Sequence, residues 1–331
     1  MIPAKLLIVI VNYRTPALAV DAVASLEQEV CARGDTHVVV VENGSGDDSA
    51  ATIGAAIATR GFGDWCTLLP MADNRGFAAG NNAGLRWYRD ATGTVPRYAW
   101  LLNPDTRAHA GAASALVAFL EAHPAAGIAG GRCVWEEGGL RNTAFRFQSP
   151  VSELIAALQF GPVSQLLRRH GVTLPIPDVP VRVDWVSGSS LMIRGAVIER
   201  IGLMDEGYFL YFEESDYCSR ADAAGFETWS VPASVITHIG GQATGVTGQD
   251  RSRNRRPRYW FHSRARFLVR RHGVARAHLA NLLWLAGYPI GSLLAFVRRI
   301  DRNQPPRLWR DFLTCNYGPG GIMYHTKELR Q

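Results

Sequence analysis

Two oxygen-bearing side chains, Asn103 and Asp105, flank Pro104 directly after the apolar run Tyr98 to Leu102. At positions i and i+2 of a tight turn they can face one hard cation, with diphosphate oxygens completing its shell. Proline cannot continue a central strand, so the chain leaves the sheet here. The pair is therefore expected at the carboxyl end of a strand, where open α/β sheets place their ligands. Three more carboxylates, Glu213, Glu214 and Asp216, follow the aromatic run Tyr208 to Phe212. Ser215 or Asp216 can cap a helix carrying Cys218, Ala221 and Ala224, and first-turn acids suit a helix dipole. Capping explains one or two of these acids; a third beside so much aromatic surface calls for a partner or a task. An ordinary turn would explain Asn103 and Asp105 taken alone, and a lone His238 fits a structural role as well as a ligand's.

What positions these residues is a series of strands. Leu6 to Val11 is a continuous β-branched and leucine run, the pattern of a strand covered on both faces. Similar runs occur at His37 to Val41, around Thr67 to Pro70, at Tyr98 to Leu102, Gly127 to Trp135, Arg182 to Arg194 and Thr228 to Ile236. Strands alternating with helical segments at this spacing predict βαβ units and a mostly parallel sheet. Each polar cluster follows a strand: Asn12-Tyr13 after the first, Glu42-Asn43-Gly44-Ser45 after the second, Asn74-Arg75-Gly76-Phe77 and Asn81 after the third. Right-handed crossovers would bring them to one edge. A Rossmann dinucleotide domain is disfavoured, because its first turn should carry G-x-G-x-x-G and this one has no glycine. The glycines at 76, 80 and 84 suit close helix packing as well as ligand approach. Residues 136–181 hold five prolines and read as an irregular lid or linker. Gly188, inside Val186-Ser187-Gly188-Ser189, marks a close approach within a strand.

The 331 residues suffice for one large domain or two smaller ones, and 47% hydrophobic with 19% charged content describes a folded chain. The net charge of +6 is unevenly spread: ten arginines and no acid lie between Arg251 and Arg276, leaving the remainder mildly acidic. Cysteines at 31, 66, 133, 218 and 315 form no C-x-x-C pair, which argues for a reducing, cytoplasmic compartment and against a zinc site. No cleavable secretory signal is expected before the first strand. Ala277 to Val297 has no Asp, Glu, Lys or Arg and is followed by Arg298-Arg299. A helix lying in the membrane interface, anchored by its flanking arginines, and a hairpin docked on the catalytic body both fit this segment. No nucleic-acid motif accompanies the basic aromatic stretch, so no nucleic-acid partner is expected.

Taken in order, these turns resemble the GT-A glycosyltransferases of family 2, in particular the rhamnosyltransferase-like branch. The pieces are Val11-Asn12-Tyr13, Glu42-Asn43-Gly44-Ser45, Asn74 through Asn81, Leu102-Asn103-Pro104-Asp105, Gly188-Ser189, Tyr211 through Asp216, and His238. The resemblance, which spans roughly residues 5 to 241, implies an α/β GT-A domain over residues 1–245; composition and charge set apart a C-terminal helical region over 246–331, with 251–299 as its membrane-contacting candidate. It implies that Asn12, Tyr13, Glu42, Asn43, Asn74, Gly76, Phe77 and Asn81 surround the nucleotide. Asn103 and Asp105 stand where the family's D-x-D motif holds Mg²⁺ or Mn²⁺ on the donor diphosphate, and His238 where some members add a third ligand. Glu213-Glu214 occupies the position of the family's Glu-Asp pair, whose second member is the general base. Trp185, Ser187, Gly188 and Ser189 would line the acceptor pocket.

The chemistry is coherent on its own terms. A sugar nucleotide's leaving diphosphate needs a cation, and a carboxylate on the opposite face takes the acceptor hydroxyl's proton as that oxygen attacks the anomeric carbon. In-line attack inverts that centre. Three departures bear on the assignment: Asn103 replaces the first Asp of D-x-D, and Glu42 and Glu214 each replace the more usual Asp. Each glutamate adds about 1.5 Å of reach, and the base is left open among Glu213, Glu214 and Asp216. The branch implies dTDP-L-rhamnose as donor and a bacterial cell-surface glycan or polyprenyl-linked saccharide as acceptor, at the inner face of the plasma membrane. The alternatives are another UDP- or GDP-sugar, or a degenerate sugar-nucleotide- or glycan-binding protein. A nucleotidyltransferase would need a glycine-rich, lysine-bearing signature after its first strand, which is missing.

Overall fold

The computed structural model describes residues 5–239 and 254–330. The chain opens with strand β1 (Leu6–Asn12), helix α1 (Pro16–Arg33), β2 (Thr36–Glu42), α2 (Ser49–Thr59), β3 (Cys66–Pro70), α3 (Phe77–Thr92) and β4 (Tyr98–Leu102). It continues through β5 (Thr106–Ala108), α4 (Ala112–Ala122), β6 (Ala126–Trp135), β7 (Leu140–Arg141), β8 (Ala144–Phe145), α5 (Pro150–Leu158) and α6 (Gly161–Leu166). Next come β9 (Val181–Val183), β10 (Trp185–Val186), β11 (Ser190–Arg194), α7 (Gly195–Ile201), α8 (Glu213–Ala223) and β12 (Glu227–His238). Helices α9 (Arg258–His272), α10 (Val274–Val297) and α11 (Leu308–Tyr317) complete the described chain. It divides into two compact units: residues 1–145, 175–209 and 213–243, and residues 146–174, 210–212 and 244–331. The expected boundary at 245–246 lies outside the described residues.

The first unit is built on a sheet ordered β3-β2-β1-β4-β11-β6-β12-β5, with β7 beside β6 and β9 beside β12. Strands β3, β2, β1 and β4 are parallel. Every residue of β1 and β2 is buried, as a strand covered on both faces requires. The reversal of strand order between β1 and β4 is the topological switch point, where such sheets open a crevice at their carboxyl ends. Beyond β4 the sheet is mixed, because β11 runs antiparallel to β4 and β6. The strand expected from Arg182 to Arg194 with an interruption at Gly188 is three short strands, with Ser187 to Ser189 as a turn. Strand β12 runs parallel to β6 with a register shift between Val231 and Val235. Pro232 sits within that irregularity, where a residue without an N–H does no harm to the ladder. Past the shift, β12 pairs antiparallel with β5 so that His238 lies opposite Thr106.

The glycines of α3 show their purpose here. A Cβ at Gly80 would stand 2.6 Å from Val11, and one at Gly84 2.8 Å from Val9. Both let the helix lie close on β1, so of the two readings of this spacing, packing applies at 80 and 84. Gly76 differs: its φ is 91° and a Cβ would meet the Phe209 carbonyl at 2.2 Å.

In the second unit, residues expected to be irregular form α5 and α6. Ser149 caps α5 through a capping box and Pro150 occupies its first turn, where a missing N–H costs nothing. Helices α5 and α10 touch at glycines: a Cβ at Gly291 would stand 2.2 Å from the Leu158 carbonyl. The core of this unit contains a buried ion pair, Arg264 to Glu153 at 2.6 Å, with Arg264 also donating to Asn281 Oδ1 at 2.6 Å. Trp284 stacks on Phe312 at 4.0 Å beside it.

Candidate active site

The first unit gathers the polar turns at one edge of its sheet. At the end of β1, Asn12 accepts from the Thr15 backbone N–H and hydroxyl at 3.3 and 3.2 Å. Its backbone carbonyl accepts from the Asn43 N–H at 2.9 Å, tying the ends of β1 and β2 together. Asn43 Nδ2 then donates to Asn74 Oδ1 at 3.0 Å and to the Gly76 carbonyl at 3.1 Å. Glu42 does not stand free: Ser45 gives it a backbone N–H at 2.9 Å and a short hydroxyl contact. Ser45 also accepts from the Arg14 N–H at 2.9 Å, and the Arg14 guanidinium lies 5.2 Å from the Tyr13 ring centroid. Three turns separated in sequence thus make one cradle.

Several polar atoms in it have no partner. Asn12 Nδ2, Asn43 Oδ1 and Asn81 Oδ1 are buried and unbonded, as are Glu213 Oε2 and Glu214 Oε2. An orphaned buried polar group costs on the order of 1–3 kcal/mol, so such groups are few and call for an explanation. Clustering of both donors and acceptors at a sheet edge is what a site for a polar ligand requires.

At the end of β4, the Asn103 N–H donates to the Ser189 carbonyl at 3.2 Å, and the Asn103 carbonyl accepts from Thr106 Oγ1 at 2.6 Å. Gly188, one residue away, lies beside the Glu214 carboxylate, and its backbone helps hold that carboxyl down. A Cβ at Gly188 would lie 3.8 Å from Glu214 and 3.7 Å from the Phe77 ring. The turns at 103, 187–189 and 213–214 are therefore neighbours. Trp185 stacks on Phe145 with centroids 4.2 Å apart, and Ser187 and Ser189 share a hydrogen bond of 3.0 Å.

The acids at 213–216 separate by environment. Helix α8 begins at Glu213, two residues before the expected cap, so all three lie in its first turn. The entry into it is strained: Tyr211 and Phe212 have φ of 70° and 69°, a left-handed region that costs a bulky residue about 1 kcal/mol or more. Loop residues leading there are pinned to α3, where Asn82 exchanges hydrogen bonds with both backbone groups of Met204 and donates to Glu206. Burial pushes Glu214 up to about 7, although backbone N–H donors, Gly188 and Ser215 among them, hold it down. Burial, with the neighbouring Glu214 carboxylate adding to it, pushes Glu213 well above the ordinary range. Asp216 is instead engaged, accepting from Arg220 Nε at 2.8 Å and the Tyr208 hydroxyl at 3.3 Å.

His238 and Asp105 meet: Nε2 lies 3.0 Å from Asp105 Oδ1, both side chains buried. The sequence offered no signal for Arg141, whose Nη1 lies 2.6 Å from His238 Nδ1. Guanidinium has no lone pair, so Nδ1 accepts and the ring proton of neutral His238 sits on Nε2, donated to Asp105. Two ligands about 2.1 Å from an octahedral cation also stand about 3.0 Å apart, so this pair has the spacing to share one. Asp105 fits directly; His238 would fit once its proton moves to Nδ1 and Arg141 turns aside. Among the described residues there is no group of three His, Cys, Asp or Glu side chains that could hold a metal, so a donor's phosphate oxygens would have to supply the other positions. A separate cavity lined by Leu85, Arg86, Pro96, Ile198 and Leu203 lies toward the far end of α3 and contains none of these residues.

The mixed sheet flanked by helices, with its polar turns at the switch point, is a GT-A-like glycosyltransferase fold. Solved structures share the fold. A mannosyltransferase from Pyrobaculum calidifontis in complex with GDP-Man and Mn²⁺ has TM-score 0.52 at 15% identity, covering 89% of this chain and 75% of that one. GalNAc-T7 with UDP, GalNAc and Mn²⁺ has TM-score 0.56 at 14% identity, covering 93% and 55%. The chain belongs to glycosyltransferase family 2: the model described as glycosyltransferase like family 2 matches residues 3–261. It is 26% identical over 185 residues to the N-acetylglucosaminyl-diphospho-decaprenol L-rhamnosyltransferase of Mycobacterium tuberculosis, 54% of this chain and 60% of that protein. It is likewise 26% identical over 222 residues to a low-salt glycan biosynthesis hexosyltransferase of Haloferax volcanii, 65% of this chain and 60% of that protein. The chain thus spans about three fifths of the length of these curated relatives.

Proposed function

We propose that this glycosyltransferase moves a sugar, with inversion, from a nucleotide donor to a glycan or lipid-linked hydroxyl, with Glu214 as the general base. The observation that carries the proposal is the environment of Glu214. Its Oε2 is buried without a partner, the Gly188 turn lies beside it, and burial pushes the carboxyl up to about 7. A base with that pKa is ionised in part at neutral pH and still takes a proton with adequate driving force. Burial, then the Glu214 charge beside it, pushes Glu213 well above the ordinary carboxylate range, which disfavours it as the base. Asp216, paired with Arg220, serves to anchor the first turn of α8 rather than to move a proton.

The Asn12, Asn43, Asn74 and Asn81 cradle is the nucleotide subsite of this proposal, supported by its orphaned donors and acceptors. Glu42 is fixed by Ser45 as an acceptor for a ribose hydroxyl. Asp105 and His238 would hold Mg²⁺ or Mn²⁺, as the Mn²⁺ in the two structural neighbours suggests. Bound there, the cation would offset the charge of the departing diphosphate. Asn103 positions the turn through Ser189, and Gly188 leaves room for the acceptor hydroxyl beside Glu214. L-Rhamnose from dTDP-L-rhamnose is the favoured donor, supported by the relative named as a rhamnosyltransferase, and its diphospho-decaprenol acceptor supports a lipid-linked saccharide at the cytoplasmic face of a membrane. The catalytic domain would be residues 1–245. Incubation with dTDP-rhamnose, UDP- and GDP-sugars, with and without Mn²⁺, tests this. Turnover of one donor that disappears in Glu214→Gln is expected; binding without turnover by the wild-type chain would leave a sugar-nucleotide-binding protein.

A further inference from the structure

We infer that the outer face of α10, with the exposed part of α11 and the arginines that follow α10, is a docking surface for an anionic phospholipid bilayer. Helix α10 is 24 residues long and presents two apolar faces. One is used: Ala277, Ala280, Asn281, Trp284, Gly287 and Gly291 are buried. The other is bare. Leu279, Leu282, Ile290, Leu293, Phe296 and Val297 are all exposed, Phe296 at 81% and Val297 at 70%. Their spacing of three, four, seven and eight residues puts them on one stripe. From Leu279 to Val297 the stripe runs about 27 Å, with no charged side chain in it. A soluble surface rarely leaves so long an apolar stripe uncovered.

Three observations choose a bilayer surface over other occupants. The buried face, closed against α5 by Gly287 and Gly291, keeps lipid from surrounding the helix, so α10 lies along a membrane instead of crossing it. The stripe ends in Arg298 and Arg299, both exposed, with exposed Arg307 and Arg310 close behind in sequence. The acids in that stretch are Asp301 and Asp311, and Asp311 is buried against Arg255. Apolar stripe plus cationic border is the pattern of an interfacial helix on anionic lipid. Finally, Trp309 and Leu313, one turn apart on α11, are exposed, and Trp309 Nε1 donates to the Leu285 carbonyl of α10. An indole with its N–H satisfied and its ring exposed suits the headgroup boundary.

The test is co-sedimentation of the full chain with vesicles of phosphatidylcholine alone or with about one third phosphatidylglycerol. Binding to the anionic vesicles is expected, weaker by at least about tenfold for Leu293→Asp/Phe296→Asp and for Arg298→Glu/Arg299→Glu, and reduced by salt in the wild type. Equal thermal melting of the variants establishes that the fold is intact. Turnover of a soluble nucleotide sugar should be unchanged in both, which separates this inference from the proposed activity. Failure to bind either vesicle overturns it, as does an α10-mediated dimer that Leu293→Asp converts to monomer. Extraction resistance expected of a membrane-spanning helix would also overturn it.

Discussion

Replacing Glu214 by Gln should remove activity and, at high pH, stabilise the fold. The carboxyl is raised from 4.5 to about 7, chiefly by burial. That shift corresponds to about 3 kcal/mol of preference for the neutral form, at about 1.4 kcal/mol per unit. Between these two values the folded chain binds the proton more tightly than the unfolded chain, so stability from this group falls as pH rises through the window. A neutral glutamine carries no such penalty. Its oxygen can accept from the Gly188 and Ser215 N–H groups, and its NH₂ would take the place of the unpartnered Oε2. Denaturant unfolding at pH 5 should give nearly equal stability for the two proteins; at pH 8.5 Glu214→Gln should be more stable by about 2–3 kcal/mol. Transfer should drop on the order of 10²–10⁴-fold, and wild-type turnover should rise with pH to a plateau above about 7. A stability difference that does not vary with pH, or a glutamine variant with full turnover, would refute the reasoning.

Asp216→Ala removes the buried partner of the half-buried Arg220 and should destabilise by about 1–3 kcal/mol with no change in the pH at half-maximal turnover, checked by unfolding and a pH profile. Gly84→Ala would drive a methyl within 2.8 Å of Val9 and should cost about 1–3 kcal/mol by denaturant unfolding. Glu153→Ala leaves Arg264 buried without its carboxylate and should cost about 3–5 kcal/mol, read by thermal melting of the full chain.

The parallel strands were legible because β1, β2 and β4 are unbroken apolar runs ended by polar turns, and burial on both faces demands that composition. The same pattern placed Asn12, Asn43 and Asn103 at one edge. Contacts made by residues far apart in sequence were not legible. Arg141 meets His238 because β7 and β12 both pair with the end of β6, and nothing local to either residue encodes that. The helices of residues 150–166 were read as irregular because Pro150 and Pro162 looked like breakers, although a first-turn proline is compatible with a helix. Asp216 was grouped with the other acids, yet Arg220 stands four residues on, the spacing of a helical ion pair, and that sign was available. What distinguished Glu214 was its place beside the Gly188 turn with one carboxylate oxygen unpartnered, a contact between distant residues that composition does not carry.

The most direct test of the account is calorimetric titration of the wild-type chain and Asp105→Ala with dTDP, UDP and GDP, with and without Mn²⁺. The account predicts that one nucleoside diphosphate binds the wild type, at least about tenfold more tightly with Mn²⁺, and that Asp105→Ala loses this metal-dependent gain while keeping the weaker metal-free binding. Identical Mn²⁺-dependent binding by both proteins would contradict it.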